Sequence, residues 1–355
     1  MTSARHDARV ALIGYGHAGA VFHGPLIAAT AGLQLAIIVT ADPVRRAQAA
    51  AAHPDARLVP DAESLWPFAR DLDLVVIATP NRTHVRSALA AIDAGLAVVV
   101  DKPMAATAAD AQRVIDAAHA RGTLLTVFQN RRWDGDFLTL QRVIADRAVG
   151  AVTRFESRYE RWRPVVKAGW RMHAAPEDAG GLLFDLGSHL VDQALLLFGP
   201  VRSVYAQLDS RRPGVAVDDD AFVALTHESG VRSHLWMSSV AAQPGPRFRL
   251  LGSRGAFVKH GLDVQEDALR AGLDPRSAGW GGEPPEMWGR LGIGDDSRTI
   301  ATIPGDYPSF YRTLEAALRG TGAPPVDPRD AVNALRVIEA SRQSAHSSTV
   351  VVLPA

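Results

Sequence analysis

The amino-acid sequence predicts an α/β protein, with an N-terminal doubly wound parallel sheet and a C-terminal α+β domain that has a large, mainly antiparallel open sheet. Three observations predict this architecture. Short apolar runs alternate with Ala-rich helical patterns over the first third of the 355 residues, and a glycine-rich turn follows the first run. After residue 129 the rhythm changes to consecutive strand-like runs. We therefore expect two domains, residues 1–129 and 130–355.

The apolar runs of the first part are nearly continuous in Val, Ile and Leu, which is typical of strands covered on both faces. The predicted strands are 9–14, 34–40, 73–79, 97–100 and 124–128. The predicted helices are 20–29, 44–52, 83–94 and 108–120. Gly95 and Gly122 follow the last two helices, as helix-terminating glycines do. A β-α-β-α order of this kind indicates a parallel sheet.

The second part mixes helical patterns with alternating strand patterns, and turns such as Glu228-Ser229-Gly230 favour antiparallel pairing. Its predicted strands are 152–162, 201–208, 221–227, 232–238, 248–251, 256–259 and 349–353. Its predicted helices are 136–146, 182–198, 309–319 and 328–341. We expect 272–297 to form a long ordered loop. We expect the helices around 182–198 and 309–341 to cover one face of the sheet.

The composition excludes several classes of protein. Lys+Arg and Asp+Glu are equal at 38 each, so no net field favours nucleic acid or an anionic membrane. The chain has no cysteine, which excludes disulfides, thiolate catalysis and cysteine-ligated metals. The uncharged stretch Val10–Ala41 is broken by glycine, proline and histidine, which argues against a membrane span. We expect a cytoplasmic protein.

The residues that follow the first predicted strand form a G-x-G-x-x-G motif. In such a turn the first glycine makes the bend, the second admits a pyrophosphate and the third lets the helix pack on the strand. The helix N-terminus then offers N–H groups and a positive dipole end to phosphates. We expect a bound dinucleotide to contact Gly14, Tyr15, Gly16, His17, Ala18 and Gly19.

Two further motifs end predicted strands, at the sheet edge where open α/β sheets bind ligands. The first contributes Thr79, Pro80, Asn81 and His84, and the second contributes Asp101 and Lys102. Taken alone, Asp-Lys-Pro indicates an exposed ion pair before a turn. Beside the glycine turn, Lys102 becomes a candidate catalytic cation.

A helical segment in the second domain contains Asp185 and His189, four residues apart and therefore on one helix face. Histidine suits proton transfer near neutral pH, and a neighbouring carboxylate can orient its ring. Surface electrostatics is the alternative for an isolated pair of this kind. The sequence shows no spaced third and fourth metal ligands, and we expect no metal.

Together these motifs resemble the Gfo/Idh/MocA oxidoreductases over essentially the whole chain. The segments that carry the resemblance are 14–25, 78–84, 101–103, 130–137, 180–192, 261–266 and 304–307, the last two being similar to the branch that contains scyllo-inositol dehydrogenases. One departure is Asp101, where the family usually has glutamate before Lys-Pro. The shorter carboxylate can change its contact with the cofactor or with Lys102.

The resemblance implies a Rossmann domain and a nicotinamide-dependent oxidoreductase that transfers a hydride to or from a sugar or an inositol-like polyol. Lys102, Asp185 and His189 match the family's catalytic Lys, Asp and His. Candidate substrate contacts are Arg132, Trp133, Tyr159 and Trp170. Two alternatives keep the same fold: a cofactor-sensing regulator without turnover, and an NAD-dependent glycosidase.

Cofactor choice depends on the end of the second predicted strand, where NAD-specific domains carry an acidic residue. Here Thr40 ends the strand, and Asp42 precedes Pro43 as a helix N-cap. Thr40, Arg45 and Arg46 could instead hold a 2′-phosphate, so we expect NADP to be favoured over NAD.

Because one face of the second sheet would lack a cover, we also expect a homodimer or homotetramer in which the second sheets of the copies pack against each other.

Overall fold

The computed structural model describes residues 6–166 and 175–354, and its first domain is built on a parallel sheet. Within the described residues this sheet has six strands in the order β3-β2-β1-β4-β5-β6, so the winding reverses between β1 and β4. The strands are β1 Ala8–Ile13, β2 Leu33–Val39, β3 Arg57–Val59, β4 Leu74–Ile77, β5 Ala97–Asp101 and β6 Leu125–Phe128. The doubly wound parallel sheet is confirmed. The three-residue strand β3 is too short to be recognised in the sequence.

Helices cover both faces of the first sheet, which explains its continuous apolar strands. The helices of this domain are α1 Gly24–Ala28, α2 Pro43–Ala52, α3 His84–Asp93 and α4 Ala108–Arg121. Alternate residues of β4 lie in two separate clusters, with Val75 packing towards α3 and α4 and Val76 towards α1. Gly95 and Gly122 follow α3 and α4 with positive φ angles of 79° and 63°, as predicted for helix-terminating glycines.

The second domain is built on a mixed sheet. Among the described residues it has nine strands, in the order β14-β13-β12-β11-β7-β10-β9-β8-β15. The strands are β7 Val152–Glu160, β8 Val201–Asp209, β9 Asp220–His227, β10 Arg232–Ser238, β11 Phe248–Gly252, β12 Gly255–Lys259, β13 Gly289–Gly292, β14 Arg298–Ile300 and β15 Val351–Val352. All neighbours pair antiparallel except β7 and β10, which pair parallel. The mainly antiparallel sheet is confirmed.

Helices of the second part cover one face of this sheet and also reach the first domain. They are α5 Gly135–Ala145, α6 Ser188–Phe198, α7 Gln265–Arg270, α8 Pro308–Leu318 and α9 Pro328–Ser347. Helix α9 packs on β8 and also on α4, and its Glu339 accepts a hydrogen bond of 2.8 Å from the N–H of Ala108. Short 3₁₀ turns occur at Trp66–Asp71, Asn81–Thr83, Asn130–Trp133, Pro176–Asp178, Pro285–Met287 and Gly294–Asp296.

Two expectations for the second part are wrong. Helix α8 does not cover the second sheet, because its Phe310, Tyr311 and Leu314 pack into the core of the first sheet with Phe22 and Phe128. The predicted loop 272–297 contains β13, which extends the second sheet by pairing with β12. No helix in the described ranges is long and apolar enough to cross a membrane.

Candidate active site

The glycine turn lies at the end of β1 and opens towards the carboxyl edge of the first sheet. Gly14 has a φ of +100°, and a Cβ there would lie 2.6 Å from the carbonyl oxygen of Ala78. A Cβ at Gly19 would overlap the carbonyl oxygen of Gly14, so this glycine permits the helix to pack on the strand. At Gly16, in contrast, an added Cβ would meet only Nη1 of Arg45 among the described atoms, at 3.8 Å. The backbone is therefore open for a phosphate at Gly16, and the residues fit a dinucleotide.

The helix after the glycine turn differs from the prediction. Its first part, Ala18–His23, is a π-helix, and α1 continues from Gly24. The side chain of Tyr15 is buried against His53, so only its backbone faces the turn. His17 is exposed. The predicted position of the turn at a helix N-terminus is nevertheless found, with its N–H groups available to an anion.

The two predicted strand-end motifs meet beside the turn, and His84 connects them. Its Nδ1 lies 2.9 Å from the carbonyl oxygen of Pro103, and its Nε2 lies 2.8 Å from that of Thr79. Asn81 donates to the carbonyl oxygens of Asp178 and Ala179 in the second domain, at 3.0 and 3.3 Å. His84 therefore connects the ends of two strands, and Asn81 connects the two domains. Thr79 and Pro80 remain at the crevice.

Asp101 is held within the protein. It accepts a 2.7 Å hydrogen bond from the N–H of Lys102, and its other oxygen lies 3.8 Å from Nε2 of His23. Burial raises the pKa of Asp101, but the interaction with His23 and the charge of Lys102 outweigh burial and bring this pKa below its usual value. Asp101 therefore anchors the backbone of Lys102 as a carboxylate.

Lys102 joins the two domains at the crevice. It follows β5, and its Nζ donates to the carbonyl oxygen of Asp185 at 2.6 Å and to Oδ1 of Asp185 at 3.1 Å. The side chain of Lys102 is 14% exposed and that of Asp185 is 32% exposed, so the pair reaches solvent through the crevice. The structure thus brings Lys102 of the first domain into contact with Asp185 of the second, which are two of the three predicted catalytic residues.

Asp185 and His189 lie on the helical segment that was predicted, but its first turn is unusual. Leu183–Gly187 is a π-helix and passes directly into α6 at Ser188. Segments of π-helix often occur at functional sites, because the inserted residue displaces a side chain from the regular helix face. Here the π-helical turn directs both the carbonyl oxygen and the carboxylate of Asp185 to the ammonium group of Lys102.

His189 is buried, with a side chain suited to accept a proton. Burial lowers the pKa of His189 well below its usual value, and the positive charges of Lys102, Arg131 and Arg247 lower it further. Its Nδ1 is buried and has no hydrogen-bond partner in the described part of the chain. At neutral pH the ring is therefore a neutral imidazole, which is the form that acts as a general base.

Residues with no predicted role lie near His189, where the charges of Arg131 and Arg247 act on it. Gln193, one turn further along α6, donates to the carbonyl oxygen of Arg131 at 3.0 Å and accepts from Nη2 of Arg247 at 3.1 Å. Both guanidinium groups face the ring of Tyr159, at 4.9 and 5.5 Å. Arg131 is the sequence neighbour of the candidate Arg132, whereas Arg247 lies in no recognised motif.

The candidate substrate residues have different environments. Tyr159 is buried at the carboxyl end of β7, between arginines, and Trp133 packs edge-on against Phe310. Arg132 does not face the crevice freely: its guanidinium binds both oxygens of Asp192, at 2.8 and 2.6 Å, and also binds Asp330. This geometry favours a structural role for Arg132. Trp170 lies outside the described residues.

Helix α2 follows β2 along the chain, and Asp42 is its N-cap as predicted. Oδ1 of Asp42 accepts a 2.9 Å hydrogen bond from the N–H of Arg45, so this carboxylate caps α2. The guanidinium of Arg45 approaches Gly16, whereas Arg46 donates to the carbonyl oxygen of Leu58 at 3.0 Å. Of the two arginines, Arg45 is the one that faces the glycine turn.

A doubly wound sheet with a glycine turn, beside a lysine, a carboxylate and a neutral histidine from two domains, defines a dinucleotide-dependent oxidoreductase. Residues 8–129 match the family model described as an oxidoreductase family with an NAD-binding Rossmann fold, and residues 137–258 match the GFO/IDH/MocA C-terminal domain. The chain belongs to the Gfo/Idh/MocA family of oxidoreductases.

Individual relatives agree over nearly the whole chain. The scyllo-inositol 2-dehydrogenase (NADP(+)) IolW of Bacillus subtilis is 36% identical over 97% of this chain and 96% of its own. The D-apiose dehydrogenase of Paraburkholderia graminis is 29% identical, covering 91% of this chain and 84% of its own. The solved structure of yvaA from Bacillus subtilis superposes with a TM-score of 0.93 at 34% identity, covering 99% of this chain and all of its own. The predicted oxidoreductase with an NAD-binding Rossmann domain is confirmed.

Proposed function

We propose that the protein is an NADP-preferring dehydrogenase that oxidises a secondary alcohol of a sugar or inositol-like polyol, or reduces the corresponding ketone. The observation that carries this proposal is the contact of Lys102 with Asp185, one helical turn before His189 and beside the glycine turn. This contact supports the proposal, because alcohol oxidation requires a cation and a neutral base beside the same hydroxyl group.

The side chains divide the chemistry between them. A bound nicotinamide supplies the acceptor for the hydride of the carbinol carbon. His189, neutral because its pKa is lowered, takes the hydroxyl proton. An ammonium group has three donors, and Lys102 directs two of them at Asp185, so the third is available to orient the substrate oxygen. Its positive charge stabilises the negative charge that develops on that oxygen.

A sugar or polyol substrate is supported by the relatives and by the lining of the crevice. Two relatives are named as dehydrogenases of scyllo-inositol and of D-apiose. The guanidinium groups of Arg131 and Arg247 face the ring of Tyr159, and hydrogen-bond donors beside an aromatic ring suit a ligand rich in hydroxyl groups.

The preference for NADP is supported by the contacts of two residues. Asp42 is occupied in capping α2, so it does not offer its carboxylate to a ribose 2′-hydroxyl. Arg45 approaches the glycine turn and can pair with a 2′-phosphate, beside the buried Thr40. The relative IolW carries NADP(+) in its name.

The proposal includes a homodimer or homotetramer in which the second sheets of different copies pack against each other. It also includes a cytoplasmic location. Alternate residues of β8, β9 and β10 that point away from the helices include Tyr205, Phe222 and Trp236, all half-buried. The guanidinium of Arg158 lies 3.9 Å above the ring of Trp236. This face carries three aromatic side chains among polar ones such as Gln207 and His234, and aromatic residues on an uncovered sheet face support association with a second copy. The absence of cysteine fits a reducing compartment.

The test is a panel of inositols, aldoses and short polyols, each assayed with NAD and with NADP by the absorbance of the reduced nicotinamide. We expect net accumulation of reduced cofactor with at least one polyol. A cofactor-sensing regulator would bind the dinucleotide without turnover, and an NAD-dependent glycosidase would cleave a glycoside without net reduction. Either result would refute the proposal.

A further inference from the structure

A row of cationic side chains extends from the catalytic end of β7. Beyond Glu160 the chain stays extended, because the N–H groups of Arg161 and Arg163 donate to the carbonyl oxygens of Ser238 and Ser239, each at 2.8 Å. Side chains alternate in extended backbone, so Tyr159, Arg161 and Arg163 lie on one side of it. The guanidinium of Arg161 lies 4.6 Å above the ring of Tyr159.

This row leads towards the glycine turn. Nη2 of Arg270, on α7, donates to Nε2 of His17 at 3.2 Å, and His17 is part of the turn itself. Partial burial lowers the pKa of Arg163, and the positive charges of Arg161 and Arg270 lower it further. Arg163 therefore lies near enough to Arg161 and to Arg270 for both positive charges to act on it.

The nearby carboxylate of Glu266 offsets only part of the positive charge of this cluster: it pairs with Arg270, and its charge raises the pKa of Arg163. Glu266 is shared by Arg131 and Arg270, at 2.9 and 2.7 Å. Neither Arg161 nor Arg163 forms an ion pair within the described part of the chain. Arg161 and Arg163 therefore lie beside the Arg270–Glu266 pair without an ion-pair partner of their own in the described residues, and an anionic ligand would supply the charge that they lack.

We propose that Arg161, Arg163 and Arg270 form an anion site through which the second domain holds the pyrophosphate of the dinucleotide. This inference rests on the proposed function, which requires a nicotinamide cofactor. The pyrophosphate is favoured over an anionic substrate because Arg270 contacts His17, and residues 14–19 contain neither lysine nor arginine. The glycine turn supplies N–H groups and a helix dipole, and the second domain supplies the formal charge.

The experiment measures the Kd of NADH and of NADPH by fluorescence titration, without substrate, for wild type and for Arg163→Gln and Arg270→Gln. We expect Kd to rise about tenfold for both dinucleotides in each variant, as for loss of a charge-assisted hydrogen bond. The ratio of the two Kd values should stay unchanged, because both dinucleotides carry the pyrophosphate. Arg163→Lys should recover most of the affinity.

Arg276→Gln is the matched control, since Arg276 is exposed near the same helix and pairs only with Asp274 among the described residues. Unchanged Kd values in Arg163→Gln and Arg270→Gln would overturn the site. A raised KM for the polyol with unchanged cofactor Kd would also overturn it, and would assign the cluster to substrate. A wild-type protein that binds neither dinucleotide would refute the proposed function and the site together.

Discussion

Replacement of Arg132 by Ala distinguishes the two roles considered for this residue. In the structure Arg132 binds both oxygens of Asp192 and one oxygen of Asp330. The side chain of Asp192 is 2% exposed and that of Asp330 is 38% exposed. The substitution therefore leaves a buried carboxylate without its cation, whereas Asp330 can be solvated.

The expected cost follows from this burial. Removing one partner of a buried ion pair destabilises a protein by about 3–5 kcal/mol, because the remaining charge is not solvated. With about 2.1 cal/mol/K of unfolding entropy per residue, this corresponds to a Tm decrease of roughly 4–7 °C for a chain of this length. Arg142→Ala is the control, because its pair with Asp146 is largely exposed and should leave Tm nearly unchanged.

The pH dependence gives a second readout for the same variant. Burial raises the pKa of Asp192, and Arg132 opposes that effect. A carboxyl group with a raised folded-state pKa binds protons more readily when folded, so its contribution to stability is lost as pH rises. Without Arg132 this pKa rises further, and the Tm difference from wild type should be larger at about pH 8 than at about pH 5.

The assay is thermal unfolding of wild type, Arg132→Ala and Arg142→Ala, followed by steady-state kinetics of the folded proteins. We expect Arg132→Ala to lose stability while keeping its KM for the best polyol. An unchanged Tm with a strongly raised KM would refute the structural interpretation and restore Arg132 as a substrate contact.

Four further predictions concern catalysis, cofactor choice and assembly. Lys102→Ala and His189→Ala should each lower kcat by about 100-fold or more, since each removes a group that acts on the substrate hydroxyl; near-normal turnover would reject that residue's role. Burial and nearby cations lower the pKa of His189, so the rate of polyol oxidation should stay constant as pH falls through about 6.5, its unperturbed value; an acid limb at or above that value would contradict this. The double variant Arg45→Ala, Arg46→Ala should lower kcat/KM about tenfold with NADP and little with NAD; a wild-type preference for NAD, or an NADP preference unaffected by the substitutions, would exclude the proposed 2′-phosphate contact. Light scattering at micromolar concentration should show a dimer or tetramer, and Trp236→Glu should dissociate it; a monomeric wild type would disprove association through the second sheet.

The first domain could be predicted from the sequence because its signals are local. Strands such as β4 are continuous in apolar residues since both faces are covered, and the glycine turn requires small residues at Gly14 and Gly19 for steric reasons. The position of Lys102 at the crevice is predicted by the strand that it follows, and the shared helix face of Asp185 and His189 by their spacing. That the three residues form one site is implied only by the resemblance to the family.

Features that depend on distant partners could not be predicted. The sequence favours Arg132 as a substrate contact, but its partners Asp192 and Asp330 lie 60 and 198 residues away along the chain. The π-helical turn before α6 has no periodic signature, because five residues do not establish a new repeat. Strands β13 and β14 contain four and three residues, too few for an alternating pattern to distinguish them from a loop.

The packing of α8 on the first sheet has a consequence for the order of folding during synthesis. Phe310, Tyr311 and Leu314 complete one side of the core around Phe22 and Phe128, although they are made long after β6. At about 5–20 residues per second, roughly 10–40 seconds separate the synthesis of β6 from that of α8. Until then the dinucleotide-binding sheet has an exposed apolar face, so a nascent or truncated first domain presents a surface for chaperones and for aggregation. The last seventh of the chain, which contains α8, thus completes the core of the domain that was made first.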